Sequence, residues 1–292
     1  MTCSDAARVR GDTLAGTGSR GEGWFLLEID GPWGHSAFLN SDKVLDPNLG
    51  FAIARRAEVA GLRPLAIRRP GRHRGEGRWR WAVVDSRVGS EGIRWGEAQD
   101  AEAVLEVDFS AGTPSTRLVV GVCTHGRHDR CCAVRGRRAL SALMEDFGEN
   151  TWECSHLGGD RFAGTMIVFP HGLYYGNVDD ADAGHIVRLH SEGFVEPRFL
   201  RGRSSLSAPV QVAQHHVRQA SGDNRIDSLH PISEVQDGLS WTVILDHDGR
   251  RVEVGLTQGL SEPITTTCVA TKAGAVRTFA LDFISDVISD EG

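Results

Sequence analysis

The sequence predicts an α/β protein with a layered central domain, and three observations carry that expectation. Apolar runs of strand length alternate with capped stretches of helical period. The middle of the chain places them in the order strand, helix, strand, strand, helix. At 292 residues, with 40% apolar and 24% charged residues, the chain has room for roughly two or three domains of ~100–200 residues each. Residues 1–20 read as a disordered leader, 21–115 as an α/β lobe, 116–205 as the central domain, and 206–292 as a small α+β tail of one helix and antiparallel strands.

The first lobe opens with an apolar strand at 24–29 that ends at the turn Gly31-Pro32-Trp33-Gly34. Asp46 then reads as an N-cap with Pro47 at the first helical position, and Leu49, Ile53, Ala57 and Ala60 recur at helical spacing up to Gly61. Strands are expected at 65–68, 79–84 and 104–109, with a solvated arginine-rich loop over 68–78. No glycine motif between a strand and a helix marks a nucleotide site in this lobe.

The central domain begins with the all-apolar run 118–122, suited to a buried strand. Asp129 is a plausible N-cap for a helix whose Leu140, Leu143, Met144 and Phe147 form a stripe before Gly148. Strands at 151–155, 165–169 and Tyr174-Tyr175 follow, then a helix capped by Asp179 that turns Ala183, Ile186, Val187 and His190 inward and stops at Gly193. This order fits a thioredoxin-like layer of sheet and helices. In the tail, Ser207 and Pro209 start a helix, Asp-Gly in the stretch DHDGR joins a hairpin of strands 241–245 and 251–256, and further strands are expected at 266–270 and 278–283.

Composition narrows the function. A net charge of −7 and a pI near 5.9 argue against broad affinity for nucleic acid or membrane. No apolar run of ~18 residues suggests a membrane span, and the leader lacks an apolar targeting segment, which points to a cytoplasmic protein. Six cysteines are too few in so long a chain for a disulfide scaffold. Four of them, Cys123, Cys131, Cys132 and Cys154, gather with His125, His128, His156 and Asp160 in one stretch. In a reducing compartment such clustering reads as metal or redox chemistry, because thiolates and imidazoles are the preferred ligands of zinc and of iron clusters.

Within that stretch Cys123 follows a buried strand and Cys132 lies in the first turn of the next helix, eight residues intervening, so two sulfurs can converge across one loop. A helix N-terminus favours a thiolate, which would make Cys132 the ready one, with Arg127, Arg130 and Arg135 adding positive potential. Cys131 points about 100° away from Cys132 and reads equally well as a core residue. If 151–156 is extended, Cys154 and His156 share a face, while the Gly158-Gly159 turn brings Asp160 back toward His156. His156 is therefore a candidate ligand either way, and Cys154 and Asp160 compete for a fourth position, although Asp160 could instead cap its turn. His125 and His128 are expected to face solvent, Cys3 to lie in the leader and Cys268 to be buried on a tail strand.

These residues carry a resemblance. Residues 118–193 resemble the thioredoxin-like [2Fe–2S] ferredoxins through the pair His156 and Asp160, Pro170 at a strand end, the run Gly172-Leu173-Tyr174-Tyr175-Gly176-Asn177-Val178 and the helix after Asp179. The whole chain resembles the sucrase/ferredoxin-like family, with Gly31-Pro32-Trp33-Gly34, the stretch CTHGRHDRCC from Cys123 to Cys132 and CSHLGGD from Cys154 to Asp160. In the fungal branch of that family the resemblance implies a cluster held by two cysteines and two histidines. Cys123, Cys132 and His156 match three of these positions, and Asp160 stands where the second histidine would be. Ordinary thioredoxin-like ferredoxins have cysteine at both late positions, so either Asp160 is an oxygen ligand, or Cys154 replaces it, or the cluster is held weakly or not at all. No pair of carboxylates supports the sucrose hydrolysis in the family's name.

The resemblance implies an electron carrier with one [2Fe–2S] cluster and a redox partner protein, a reductase or an acceptor. Imidazole in place of thiolate should raise its potential above that of an all-cysteine ferredoxin. A metal-free thiol–disulfide oxidoreductase using Cys123 and Cys132 is the alternative, and a structural zinc site ranks third.

Overall fold

Strand β6 (Val119–Cys123) is buried along its whole length, as an unbroken apolar run requires of a strand covered on both faces. The computed structural model, which describes residues 1–71 and 79–286, builds outward from it. Helix α3 (Arg130–Phe147) returns the chain to β7 (Thr151–Cys154), parallel to β6. Strand β8 (Met166–Phe169) then runs antiparallel on the other side of β6, β9 (Leu173–Tyr175) pairs antiparallel with β8, and α4 (Asp180–Ser191) follows. The spatial order β9-β8-β6-β7 is that of a thioredoxin-like core.

Val120, Val122, Met166 and Val168 meet Leu140 and Leu143 of α3 and Ile186 and Val187 of α4 on one face of this core. The alternate residues Val119, Cys123, Ile167 and Phe169 face Trp24, Leu65 and Ile67 on the other. That period of two follows from the strand pleat.

The first lobe does not stand apart. β1 (Gly23–Glu28), β2 (Leu62–Arg68), β3 (Trp79–Asp85), β4 (Gly92–Ala98) and β5 (Thr113–Ser115) extend the same sheet in the order β7-β2-β1-β3-β4-β5, and β10 (Leu200–Arg203) closes the far edge to make ten strands. The junction is the antiparallel pair β2–β7, where Ile67 faces Cys154 and Arg68 faces Glu153. The Arg68 Nε donates to Glu153 at 2.6 Å and reinforces it. Helix α2 (Pro47–Val59) is capped by Asp46, whose carboxylate accepts the N–H groups of Asn48 and Leu49, and it buries Ile53 and Ala57 against Phe25 and Leu27.

In the tail, α5 (Ala208–Ser221) packs Val210, Ala213 and Val217 on a separate antiparallel sheet of β11 (Leu229–Asp237), β12 (Ser240–His247), β13 (Arg250–Leu260) and β14 (Arg277–Asp286). The β12–β13 turn holds Asp248 at φ 54° and Gly249 at φ 82°, the left-handed pair that a two-residue hairpin needs. No helix among the described residues is long and apolar enough to cross a membrane.

Four expectations need correction. Residues 1–20 are not a disordered leader: α1 (Cys3–Arg10) is held by a reciprocal cap between Thr2 and Asp5, and Gly11 ends it in the left-handed conformation. Residues 104–109 form no strand, because Asp100 accepts the Ala103 N–H at 2.7 Å and starts a 3-10 turn over Ala103–Glu106. Residues 266–270 are a turn rather than a strand. Asp179 precedes α4 without capping it by its side chain, being engaged instead by Arg8 at 2.9 Å and Arg135 at 3.3 Å. The loop expected over 68–78 falls largely on residues 72–78, outside the described residues.

Candidate metal centre

Cys123 is the last residue of β6, and Cys132 lies in the first turn of α3, where the Asp129 Oδ1 caps the helix by accepting the Cys131 N–H at 2.7 Å. The helix can cross so near the end of β6 because residue 136 is glycine. A Cβ there would lie 2.0 Å from the Cys123 carbonyl oxygen. The third segment arrives from β7, which stops at Cys154. Beyond it Gly158 and Gly159 take φ of 90° and 79°, reversing the chain into the short turn Asp160–Phe162. The side chain of Arg201 braces that reversal, donating from Nη1 to the Gly158 carbonyl at 2.9 Å and from Nε to the Thr17 hydroxyl at 3.0 Å.

The three segments meet. One donor atom each from Cys123, Cys132 and His156 lies within 4.8 Å of the others, and His128, His156 and Asp160 form an adjoining group on the same criterion. The Cys132 Sγ donates to the Asp160 Oδ1 at 3.4 Å. The His156 Nδ1 is 3.1 Å from that oxygen but poorly aligned with it, and so is a buried nitrogen without a hydrogen-bond partner. Cys154 joins neither group. It points into the interior on the Trp24 face of the sheet, beside Gly121. β7 ends at Cys154 and a bend at Ser155 precedes His156, while Cys154 lies beside Cys123 in register across the β6–β7 pair, on the same face of the sheet. Asp160 is 8% exposed, and its Oδ1 faces the site, accepting from the Cys132 Sγ and lying 3.1 Å from the His156 Nδ1.

Burial and neighbouring charge set the protonation. The hydrogen bond from Cys132 holds the Cys123 thiol well below its ordinary value, and His156 adds to this. That same hydrogen bond, with burial, pushes Cys132 far up. The shared hydrogen bond and the nearby His156 thus favour a thiolate on Cys123 with Cys132 as its donor. Burial pulls His156 down, but Cys123 and Asp160 outweigh it and leave the imidazole raised. Burial raises Asp160.

His125 is buried, not solvent-facing. Its Nδ1 accepts the His156 N–H at 3.3 Å, which leaves the Nε2–H to donate to the Gly34 carbonyl at 2.7 Å. The turn Gly31-Pro32-Trp33-Gly34 thus supports the site, with Trp33 edge-on to His125. His128 stacks on His156 with centroids 3.7 Å apart, and His35 stacks on His128 at 4.8 Å. A crevice of about 420 Å³ lined by His35, Phe38, Phe51, His128 and His156 opens there to solvent.

The arginines expected nearby do not all serve the centre. Arg127 and Arg130 are exposed, and Arg135 is drawn to Asp5 and Asp179. The buried cation close by is Arg201, 1% exposed and pushed down to about 10 by burial. Nothing local in the sequence marks it. The spacing of His125 and His128 inside the cysteine loop was the signal for those two. Cys131 turns away from Cys132, toward Cys3 and Cys268.

A family model described as sucrase/ferredoxin-like matches residues 28–202, which include all three segments of the centre. The chain belongs to the sucrase/ferredoxin-like family. Among characterised proteins, this sucrase/ferredoxin-like chain is similar to altered inheritance of mitochondria protein 32 of Candida glabrata, 28% identical over 100 residues, which are 29% of this chain and 32% of that protein. The match thus spans about a third of that relative's length. Among solved structures, a thioredoxin-like [2Fe–2S] ferredoxin from Aquifex aeolicus is 22% identical, covering 30% of this chain and 97% of that one at a TM-score of 0.26. A second structure of such a ferredoxin from the same organism is 20% identical, covering 32% and 97% at a TM-score of 0.28.

Proposed function

We propose that this sucrase/ferredoxin-like protein is an electron carrier that holds one [2Fe–2S] cluster through Cys123 and Cys132 on one iron and His156 and Asp160 on the other. The observation that carries the reading is the convergence, from three separated segments, of two buried sulfurs, a buried imidazole nitrogen and a buried carboxylate that already touches both the Cys132 sulfur and that imidazole. That donor set suits iron. When bound, such a cluster takes up and returns one electron.

The chain's own residues orient and shield. The His125 ring accepts the His156 N–H and so fixes the backbone that presents the ligand. Arg201 holds the Gly158-Gly159 reversal that presents Asp160. Trp33 and His125 cover the centre on the side of the first lobe, while the exposed His35, stacked through His128 on His156, marks the side from which a redox partner can approach. The metal-free dithiol alternative is weakened by burial. Cys123 and Cys132 are 1% and 2% exposed, and disulfide exchange needs a reachable sulfur.

Protein purified without oxygen should be red-brown, with iron and acid-labile sulfide in equal amounts. Cys123→Ser and Cys132→Ser should lose both, Asp160→Asn should lose iron or shift the visible spectrum, and Cys154→Ser should leave the spectrum unchanged. Colourless protein with freely titratable Cys123 and Cys132 would overturn the reading, and bleaching by Cys154→Ser alone would move the fourth ligand. Potentiometry should place the couple above an all-thiolate plant-type ferredoxin, because fewer thiolates leave less negative charge on the cluster.

A further inference from the structure

Cys3, Cys131 and Cys268 come from an N-terminal helix, the start of α3 and a turn in the tail, yet their sulfurs form a closed triangle. The Sγ atoms of Cys3 and Cys131 are 3.5 Å apart, those of Cys131 and Cys268 3.1 Å, and those of Cys268 and Cys3 3.5 Å. Each separation is too long for a disulfide of ~2.05 Å, and a disulfide could use only two of the three. A tetrahedral ion with bonds of ~2.3 Å sets its sulfurs about 3.8 Å apart, and this triangle needs to open only slightly to accept one.

The surroundings are those of a ligand cage rather than of an apolar core. Besides the two buried cysteines only Ala163 belongs to this small cluster. The Ser4 hydroxyl donates to the Cys131 Sγ at 3.2 Å and itself accepts from the Arg135 Nε at 3.1 Å, so a dipole and a cation favour negative sulfur. Asp129, 1% exposed, holds the two other segments in register. Its Oδ1 accepts the Cys131 N–H, and its Oδ2 accepts the Cys268 N–H at 2.7 Å and the Thr267 hydroxyl at 2.9 Å. Carboxylates that orient ligand-bearing backbone in this way are a regular outer support of metal sites.

We propose that Cys3, Cys131 and Cys268 bind a zinc ion as thiolates, with the fourth position taken by an Asp129 oxygen or by water from the adjoining crevice beside Gly126 and Val269. Three thiolates select a soft or borderline ion of tetrahedral habit, which is zinc rather than magnesium or calcium. Binding releases the thiol protons. The site would clamp α1 and the tail to the first turn of α3, where Cys131 faces zinc and its neighbour Cys132 faces the candidate cluster, as successive helical residues about 100° apart permit.

The test is elemental analysis of the full chain purified with a phosphine reductant, together with reconstitution of stripped protein by Co²⁺ alone. One zinc per chain is expected, and Co²⁺ should give intense sulfur-to-metal absorption. Cys131→Ser and Cys268→Ser should each lose most of the zinc while keeping iron, whereas Cys123→Ser should lose iron and keep zinc. Cys268 sits on an exposed turn, so its variant folds even if Cys131→Ser does not. Neither zinc nor Co²⁺ bound with all three thiols titratable, or a disulfide joining two of them in protein kept reduced, would overturn the proposal.

Discussion

Gly136 offers the sharpest test of how the candidate centre is built. Helix propensity alone predicts that Gly136→Ala stabilises α3 by about 1 kcal/mol. The structure predicts the opposite, because the added Cβ would sit 2.0 Å from the Cys123 carbonyl oxygen, where ordinary contact begins at 3.4 Å. The obstacle is backbone, which cannot rotate away as a side chain could, so α3 and the end of β6 must separate by about 1.4 Å. Overpacking of this kind costs about 1–3 kcal/mol or more, and the upper end applies to a backbone clash. Less the propensity gain, the net loss is about 2 kcal/mol, or roughly 4–8 °C in Tm for a chain of this size. The separation also pulls Cys123 from Cys132. Thermal unfolding followed by circular dichroism, with iron content after anaerobic reconstitution, should therefore show a lower Tm and reduced loading together. A Tm that rises, with normal iron, would refute the close approach and the account of how the two sulfurs are brought together.

Two further perturbations follow from buried charge. His190, 3% exposed, is pushed down to about 3 from an ordinary 6.5, first by burial and then by His171 and Arg203. The unfolded chain therefore takes up a proton that the folded one refuses, and stability falls as pH drops below about 6.5 and continues to fall to about 3. At pH 5 this costs about 2 kcal/mol relative to pH 7.5. His190→Gln should flatten that part of the decline in urea midpoints, and an equally steep decline in the variant would sink the assignment. Arg201→Met removes a buried guanidinium that donates to the Gly158 carbonyl and to Thr17. It should destabilise by about 2–4 kcal/mol and reduce iron retention, since the reversal presenting Asp160 loosens. Unchanged urea unfolding and iron content would contradict its bracing role.

Much of the architecture could be read from local signals, because the forces behind them act over a few residues. The Asp46 cap with Pro47, the buried run that became β6, the Asp248-Gly249 hairpin and the helix started by Ser207 all rest on backbone preferences and hydrogen bonds within one turn. Elsewhere a competing short-range bond or a distant partner decides the outcome. The Thr2–Asp5 cap that starts α1 acts within one turn, although the glycine-rich composition of residues 11–23 favours reading the segment as a leader. The apolar run at 104–109 looked like a strand, but the Asp100 hydrogen bond turned it.

The candidate centre divides along the same line. That Cys123 ends a strand, that Cys132 opens the following helix, and that two glycines return the chain near His156 are properties of the sequence alone, since strand pleat, helix start and left-handed φ are local. Spacing leaves both Asp160 and Cys154 within reach of the sulfurs, and their placement is tertiary: Cys154 lies beside Cys123 because β6 flanks β7, and Asp160 comes within 3.4 Å of the Cys132 Sγ. The triangle of Cys3, Cys131 and Cys268 had no trace in spacing at all. Residues separated by 128 and 137 positions meet only because α1 and the tail both dock on α3, and docking is set by the summed packing of whole faces, which no short stretch of sequence encodes.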